Sequence, residues 1–418
     1  MYTICHYNGY RAFIFQFMDL QLSLFPDDPK DNSTRKQKKA KLGRYQRIQR
    51  ELATTKRDPY QVQVDINPVS QPLQTYNFID LFSGAGGITQ GFWQAGFNPV
   101  ASVEINPIAS ATHQRNFPNC HHFCGDVNDF NPHQWLSKIG SPSVHLVVGG
   151  PPCQGFSVAG KRDPNDPRNH LFQEFIRIVA EVRPWYVVME NVPGILTLKK
   201  GTIKQAIFAA FEAIGYTNIS VAILESAAYG VPQIRPRAIF IANRFGMKNP
   251  YPYPQLVPEE YQTIESAISD LPAYQPIPSI NHEWTRHSPE YMERISKVPP
   301  GGSLYQTYVD AFKRQYPGKS SMTIKENHGG THIHPHLNRV ISAREMARLQ
   351  TFPDSFIFEG TMKKAMWQIG NAVPPRLAEC IGYGLIPYLN RIVTEAENEA
   401  ENIVVSEKQL TYVQLMLH

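Results

Sequence analysis

A cysteine set directly after two prolines is the residue of this sequence best placed for covalent chemistry. It is Cys153, in GGPPCQGFSVAGKR (149–162). Two prolines stiffen the turn and deny it helix, and a thiolate presented there is a nucleophile. A free cysteine is more usually buried, but the Gly, Ser and Lys residues downstream argue for an open loop. Glu190 opens ENVPG (190–194) at the end of another apolar run. A carboxyl group enclosed in a pocket can be kept protonated and then donates a proton or a hydrogen bond; a Glu before a turn serves equally as a surface residue. QIRPR (233–237) sets Arg235 and Arg237 on either side of a proline, and arginines there suit phosphate or a base carbonyl. DLFSGAGG (80–87) carries three glycines after an apolar run. They let the backbone approach a ligand and open a helix, although the same turn also reads as a plain strand-to-helix connection. It is not GxGxxG, which disfavours a nicotinamide dinucleotide. Glu104 and Asp126 close two further runs, and acids at strand ends accept ribose hydroxyls in dinucleotide folds. Two of them after a Gly-rich turn begin to specify an adenosine-type ligand.

These residues need a frame that brings distant segments to one edge. Short apolar runs supply it: FIDLF (78–82), VASVE (100–104), HLVVGG (145–150), WYVVMEN (185–191), SVAILE (220–225) and RAIFIA (237–242), with a further strand expected to end in GDV (125–127). Helical stretches alternate with them, and one places Leu171, Phe175, Ile178 and Val182 on a single face. Continuous apolar strands alternating with amphipathic helices predict a mostly parallel sheet covered on both faces. In such sheets ligands sit beyond the carboxyl ends of the strands, where the candidate residues fall. Residues 1–75 read as an extension with one helix (36–51) and a Pro/Gln-rich linker. Residues 76–245 read as the main α/β domain, and 246–338, rich in Pro, Tyr, Gly and His, as a loop-rich domain. Residues 339–395 return to helical patterning, and 396–418 form an acidic helix or tail.

The chain has 418 residues and a net charge of +5, a length that suits two or three domains. Residues 30–50 alone hold a net +8, which leaves −3 for the rest. A basic arm suggests a polyanion partner or a solvated tail. Five scattered cysteines do not make a disulfide framework and predict a reducing compartment. The apolar N-terminus carries an Arg in mid-segment and no small-residue cleavage site, so no secretory signal is expected, and no apolar run is long enough to span a bilayer. Cys120, His121, His122 and Cys124 invite a zinc reading, as do His332, His334 and His336. Neither group has a second cluster nearby in the sequence, so no metal is expected. The three alternating histidines would share one strand face and are expected at the surface or against nucleic acid.

DLFSGAGG, PPCQGFS, ENVPG, QIRPR and GNAVPP stand in the order and approximate spacing of the DNA (cytosine-5) methyltransferases, and over 78–245 and 339–390 the chain resembles that family. The resemblance implies the AdoMet-dependent methyltransferase fold, a Rossmann-like, mostly parallel seven-stranded α/β sheet. A small target-recognition domain would occupy 246–338. It implies methyl transfer from S-adenosyl-L-methionine to C5 of a flipped-out cytosine in duplex DNA, as the methylase of a restriction–modification system. Cys153 would add to C6, Glu190 would contact N3 and the exocyclic amine, Asn191 would orient the pocket, and Arg237, with Arg235 behind it, would hold the base. The cofactor residues would be Phe82, Ser83, Gly84, Gly86, Gly87, Glu104, Ile105, Asp126, Val127, Pro151, Asn371 and Val373. Gln154, Ser157, Lys161 and Arg162 would contact DNA. The tRNA-methylating branch of the family and an inactive DNA-binding regulator are the rival readings; the first is expected to lack a variable recognition domain of the kind at 246–338, and intact Cys153, Glu190 and Arg237 oppose the second. Gln21, Leu22, Ser23, Leu24 and Phe25 resemble the peptide with which bacterial replication proteins enter the sliding clamp. The implied setting is a monomer on double-stranded DNA in the bacterial cytoplasm, associated with the nucleoid and not with membrane.

Overall fold

A computed structural model describes residues 71–152, 169–305, 312–325 and 332–416. The expected helix at 36–51, the Gln21–Phe25 peptide, and Cys153, Gln154, Ser157, Lys161 and Arg162 lie outside the described residues.

Seven strands form one sheet: β1 (Asn77–Leu81), β2 (Asn98–Glu104), β3 (His121–Cys124), β4 (Leu146–Gly149), β5 (Tyr186–Asn191), β6 (Asn218–Glu225) and β7 (Pro236–Asn243). Their spatial order is β3-β2-β1-β4-β5-β7-β6. β1 to β5 are parallel, and β7 runs antiparallel to both β5 and β6. The chain lays β2 and β3 outward on one side of β1 and returns to place β4 on the other. The gap between β1 and β4 is therefore the switch point where such sheets receive ligands.

Both sheet faces are apolar, as unbroken hydrophobic runs require. Ile79, Leu81, Val147, Val187 and Met189 enter one core, with Phe175 and Ile178 of α4 (Asn169–Val182) and Ile207 and Phe211 of α5 (Thr202–Ala213). Their alternate neighbours Phe78, Leu146, Val148, Tyr186 and Val188 enter a second core, with Phe92 of α1 (Gly87–Gln94) and Leu377, Ile381 and Leu385 of α10 (Pro375–Met416). α1 and α10 can touch because Gly87 and Gly91 lack side chains; a Cβ on Gly87 would strike the Val373 carbonyl, and one on Gly91 the Pro375 carbonyl.

α2 (Pro107–Asn116) starts where the Asn106 side chain accepts the Ile108 and Ala109 amides, and α3 (Pro132–Lys138) starts on Asn131 in the same way. These are side-chain oxygens filling orphan helix-start donors. Residues 246–338 carry α6 (Ile264–Ile268) and α7 (Pro289–Ser296) between long irregular stretches. Ile295, Val298 and Ile333 make a small core of their own. Ile264 and Ile268 pack instead with Met346 and Leu349 of α8 (Ala343–Leu349) and Ile369 of α9 (Met362–Asn371). Buried Arg314 replaces a strand ladder here, donating to the carbonyls of Ile295, Val298, His334 and Leu337.

Two expectations change. The third strand ends at Cys124, one residue before the expected GDV, and Asp126 instead caps a 3-10 turn by accepting the Asn128 amide. His332 and His334 are buried, not surface residues; His334 Nδ1 accepts the amides of His336 and Leu337 and so closes the loop. Only His336 is exposed, paired with Glu265. Among the described residues no helix is long and apolar enough to cross a membrane.

Candidate active site

The rim formed by the carboxyl ends of the parallel strands gathers the candidate residues. β7 is antiparallel to β5, so its first residues reach the same rim: Asn191 pairs with Ala238, beside Arg237. There Arg237 Nε donates to Glu190 Oε1 at 2.7 Å, with both side chains largely shielded. The other carboxylate oxygen of Glu190 lies against Gly150, where a Cβ would stand 3.0 Å from Oε2. Gly150→Ala is therefore expected to push Glu190 out of register and lower kcat about 10- to 100-fold while the fold persists, since small misplacements of reacting groups are costly. Steady-state kinetics beside a thermal melt checks it.

Asn191 is 6% exposed. Its Nδ2 donates to the Pro151 carbonyl at 2.9 Å and its Oδ1 accepts the Val192 amide. It thus pins the Pro151–Pro152 turn that precedes Cys153. Arg235 is 2% exposed, and its guanidinium points away from Glu190's rim into backbone carbonyls: Ile324 at 2.7 Å, Gly370 at 2.8 Å and Ala372 at 3.0 Å. Burial, then the charge of Arg237, pushes its pKa down. This geometry makes Arg235 a clamp behind the site.

On the β1–β3 half, the Glu104 carboxylate accepts the Gly84 amide at 2.8 Å and the Asn106 amide at 2.7 Å. Burial raises its pKa, opposed by those amides. Phe82 turns the chain out of β1 in a left-handed conformation (φ 58), a strained state for a non-glycine residue that is found at binding sites. Ser83 is buried with its hydroxyl unpartnered. Gly86 and Gly87 lead from it into α1. Ile105 is 66% exposed at the same edge, and Asp126 is half-buried two strands from β1. Val127 falls inside the core, its carbonyl held by Arg177, so it supports Asp126 from below and presents no side chain to the rim. Pro151 is buried at the end of β4. Val373 lies against α1, and Asn371 is exposed, donating to the Trp367 carbonyl.

Two buried acids carry roles that the sequence reading left unassigned. Asp80 accepts the Thr89 hydroxyl at 2.6 Å, and burial raises its pKa to about 7. Glu225, at the carboxyl end of β6, accepts the Arg235 amide at 2.6 Å and is likewise raised to about 7, mainly by burial. The rule that singled out Glu104, an acid closing a strand, applies to Glu225 as well. Its raised pKa sets a sign. Between about pH 4.5 and 7 the folded chain keeps a proton that the unfolded chain has lost, so stability falls as pH rises, by at most about 1.4 kcal/mol per unit. Glu225→Gln is expected to be more stable than the parent at pH 8 and to lose that advantage near pH 5, as read by denaturant unfolding at both values.

The arrangement places a rim of backbone amides and the Glu104 carboxylate on β1–β3 beside a carboxylate–arginine pair on β5 and β7, with a stiff proline turn between them. The family model for C-5 cytosine-specific DNA methylases matches residues 76–386. A Type II methyltransferase of Haemophilus parahaemolyticus, M1.HphI, is 39% identical over 324 residues, covering 74% of this chain and 86% of that protein. M.DdeI of Desulfomicrobium norvegicum is 34% identical over 76% of this chain and 90% of its own. Among solved structures, a prophage-encoded E. coli protein described as a DNA modification methyltransferase superposes with a TM-score of 0.66 at 30% identity, over 76% of this chain and all of that one. With Glu104, Glu190 and Arg237 at one rim and this extent of likeness, the chain belongs to the C-5 cytosine-specific DNA methylases.

Proposed function

We propose that this enzyme methylates C5 of a flipped-out cytosine at a specific duplex DNA site, through a covalent Cys153–C6 adduct, as the methylase of a restriction–modification system. The observation that carries the reading is the Glu190–Arg237 pair beside the turn leading to Cys153. The relatives named above as Type II methyltransferases support the restriction–modification setting.

The residues of the β1–β3 rim fit S-adenosyl-L-methionine. A buried, unpartnered Ser83 hydroxyl, the Glu104 carboxylate and exposed Ile105 offer a polar donor, a ribose acceptor and an apolar wall. Phe82, Ser83, Gly84, Gly86 and Gly87 would hold the methionine part, Glu104 the ribose, and Asp126 with Ile105 the adenine. Pro151, Asn371 and Val373 would complete the site. When bound, this cofactor supplies an electrophilic methyl group.

C5 of cytosine is a poor nucleophile. Addition of the Cys153 thiolate to C6 pushes the ring electrons toward C5 and makes it enamine-like. Glu190, bonded to N3 and the exocyclic amine, accommodates the charge that moves through the ring, and Arg237 holds the Glu190 carboxyl in place. Once C5 carries the methyl group, loss of its proton to a water molecule returns the electrons to the C5–C6 bond and expels the Cys153 thiolate. The base must leave the helical stack to reach these groups, with Gln154, Ser157, Lys161 and Arg162 contacting DNA. The test is methyl transfer from labelled cofactor to duplex DNA and to tRNA, with bisulfite sequencing of the products. Cys153→Ser is expected to abolish transfer to duplex DNA. Transfer to tRNA alone, or full activity in Cys153→Ser, overturns the proposal.

A further inference from the structure

Outside the rim, the fold assembles three metal-ligating side chains that the sequence keeps apart. Cys120, in the bend before β3, and His122, inside it, stand two residues apart with their ligating atoms on one side. That side looks onto the last turn of α2, which carries His113. Ligating atoms of His113, Cys120 and His122 lie within 4.8 Å of one another, His113 and Cys120 buried and His122 half-buried. Spacing alone had suggested Cys124 as the companion of Cys120, but Cys124 is exposed, and the third donor comes from the preceding helix.

Hydrogen bonds set the tautomers of the two histidines. Thr89 spends its single hydroxyl proton on Asp80 Oδ2 at 2.6 Å. Its oxygen, 2.8 Å from His113 Nε2, can then only accept, so Nε2 carries the proton and Nδ1 holds a lone pair. That Nδ1 is buried and has no hydrogen-bond partner. His122 Nε2 faces the Phe117 carbonyl at 3.0 Å and must donate to it, which leaves His122 Nδ1 as the second lone pair, facing the Ser102 hydroxyl at 2.8 Å. Both imidazoles are thus neutral, with the outer nitrogen engaged by an oxygen. This is the arrangement that orients histidine ligands toward a metal. Binding releases the Cys120 proton to solvent, so that a divalent ion meets the resulting thiolate and, through Thr89 and His113, the Asp80 side chain, whose Oδ1 has no partner either.

We propose that His113, Cys120 and His122 form a binding site for a zinc-class divalent ion beneath the glycine-rich loop. Two nitrogens and a sulfur suit such borderline-soft ions. Tetrahedral zinc, with bonds of about 2.0–2.3 Å, needs donor separations near 3.5 Å, so the side chains close by about an ångström. The Ser102 hydroxyl, released from His122, turns to the thiolate, and the fourth position is left to solvent. The site bears directly on the loop above it. Gly86 is left-handed (φ 98), and a Cβ there would stand 2.9 Å from His113 Cδ2. An ion would therefore tie α2 and β3 to the floor of that loop.

The test uses the full-length protein, stripped with chelator and titrated with Zn²⁺ by calorimetry and with Co²⁺ by absorption. One equivalent of Zn²⁺ is expected to bind and to raise the melting temperature, and Co²⁺ is expected to give a thiolate charge-transfer band. Cys120→Ser and His122→Asn are each expected to weaken binding at least 100-fold and remove the band, while Cys124→Ser and Cys153→Ser keep both. Circular dichroism of the metal-free variants separates lost binding from lost fold, and half-buried His122 is the safer position if Cys120→Ser fails to fold. If the parent protein binds no Zn²⁺, if His122→Asn retains the equivalent, or if Cys124→Ser loses it, the proposal is overturned and the cluster is a neutral hydrogen-bonded network.

Discussion

Glu190→Gln lowers the methylation rate on duplex DNA by about 10²–10³-fold, the usual effect of removing one preorganised electrostatic group from a reacting centre, while DNA affinity changes little. The carboxylate is held at 2.7 Å by Arg237 Nε and backed by the open face of Gly150. It is therefore positioned before any substrate arrives. Gln keeps the shape and one hydrogen bond but cannot deliver a proton to N3, so the negative charge pushed into the ring by thiolate addition has no counterpart. In the proposed mechanism the loss falls on formation of the C6 adduct. Exchange of tritium from C5-labelled cytosine in DNA, measured without methyl transfer, reports that step alone and is expected to fall in parallel with kcat. Full exchange with slow methylation would place Glu190 outside the addition step. Arg237→Met is expected to act in the same direction and less strongly, because it leaves the carboxylate in place and only frees its orientation.

The rim was legible from the sequence because it depends on topology and not on contacts. A buried parallel strand writes itself as a continuous apolar run, its end is marked by the first polar residue, and ligand groups gather at that end. Glu104, Glu190 and the Pro151 turn could all be located in this way. What stayed hidden rests on partners far along the chain. HHFC (121–124) is four residues long and only partly buried, so no period betrays it as β3. Burial of His332 and His334 follows from a loop built around Arg314, whose carbonyl acceptors come from positions 295 to 337. His113 meets Cys120 and His122 only after α2 has turned back into β3. Arg235 reads as a rim cation beside Arg237, yet the carbonyls that claim it lie 89 to 137 residues away.

Arg235→Met destabilises the protein by about 3–5 kcal/mol, because it strips several buried acceptors of their donor at once, each worth about 1–3 kcal/mol before relaxation. The guanidinium joins three parts of the molecule: Ile324 in the 246–338 region, Gly370 and Ala372 at the end of α9, and, through its own amide on Glu225, the end of β6. Methionine fills the volume but takes the Arg235 donor from the carbonyls of Ile324, Gly370 and Ala372, leaving Ala372 only the Gln350 side-chain amide. Lysine restores a charge but not the planar fork that reaches carbonyls in two directions, so Arg235→Lys is expected to recover only part of the loss. Function follows from the same joint. The Gly370–Val373 turn lies against Gly87 at the start of α1, so loosening it raises KM for the cofactor, whereas Arg237→Met, which breaks the shielded pair with Glu190, acts chiefly on kcat. Denaturant unfolding paired with the two kinetic constants separates these behaviours. An Arg235→Met protein within about 1 kcal/mol of the parent means that water satisfies the three carbonyls and that the clamp is not what holds the cofactor rim to the 246–338 region.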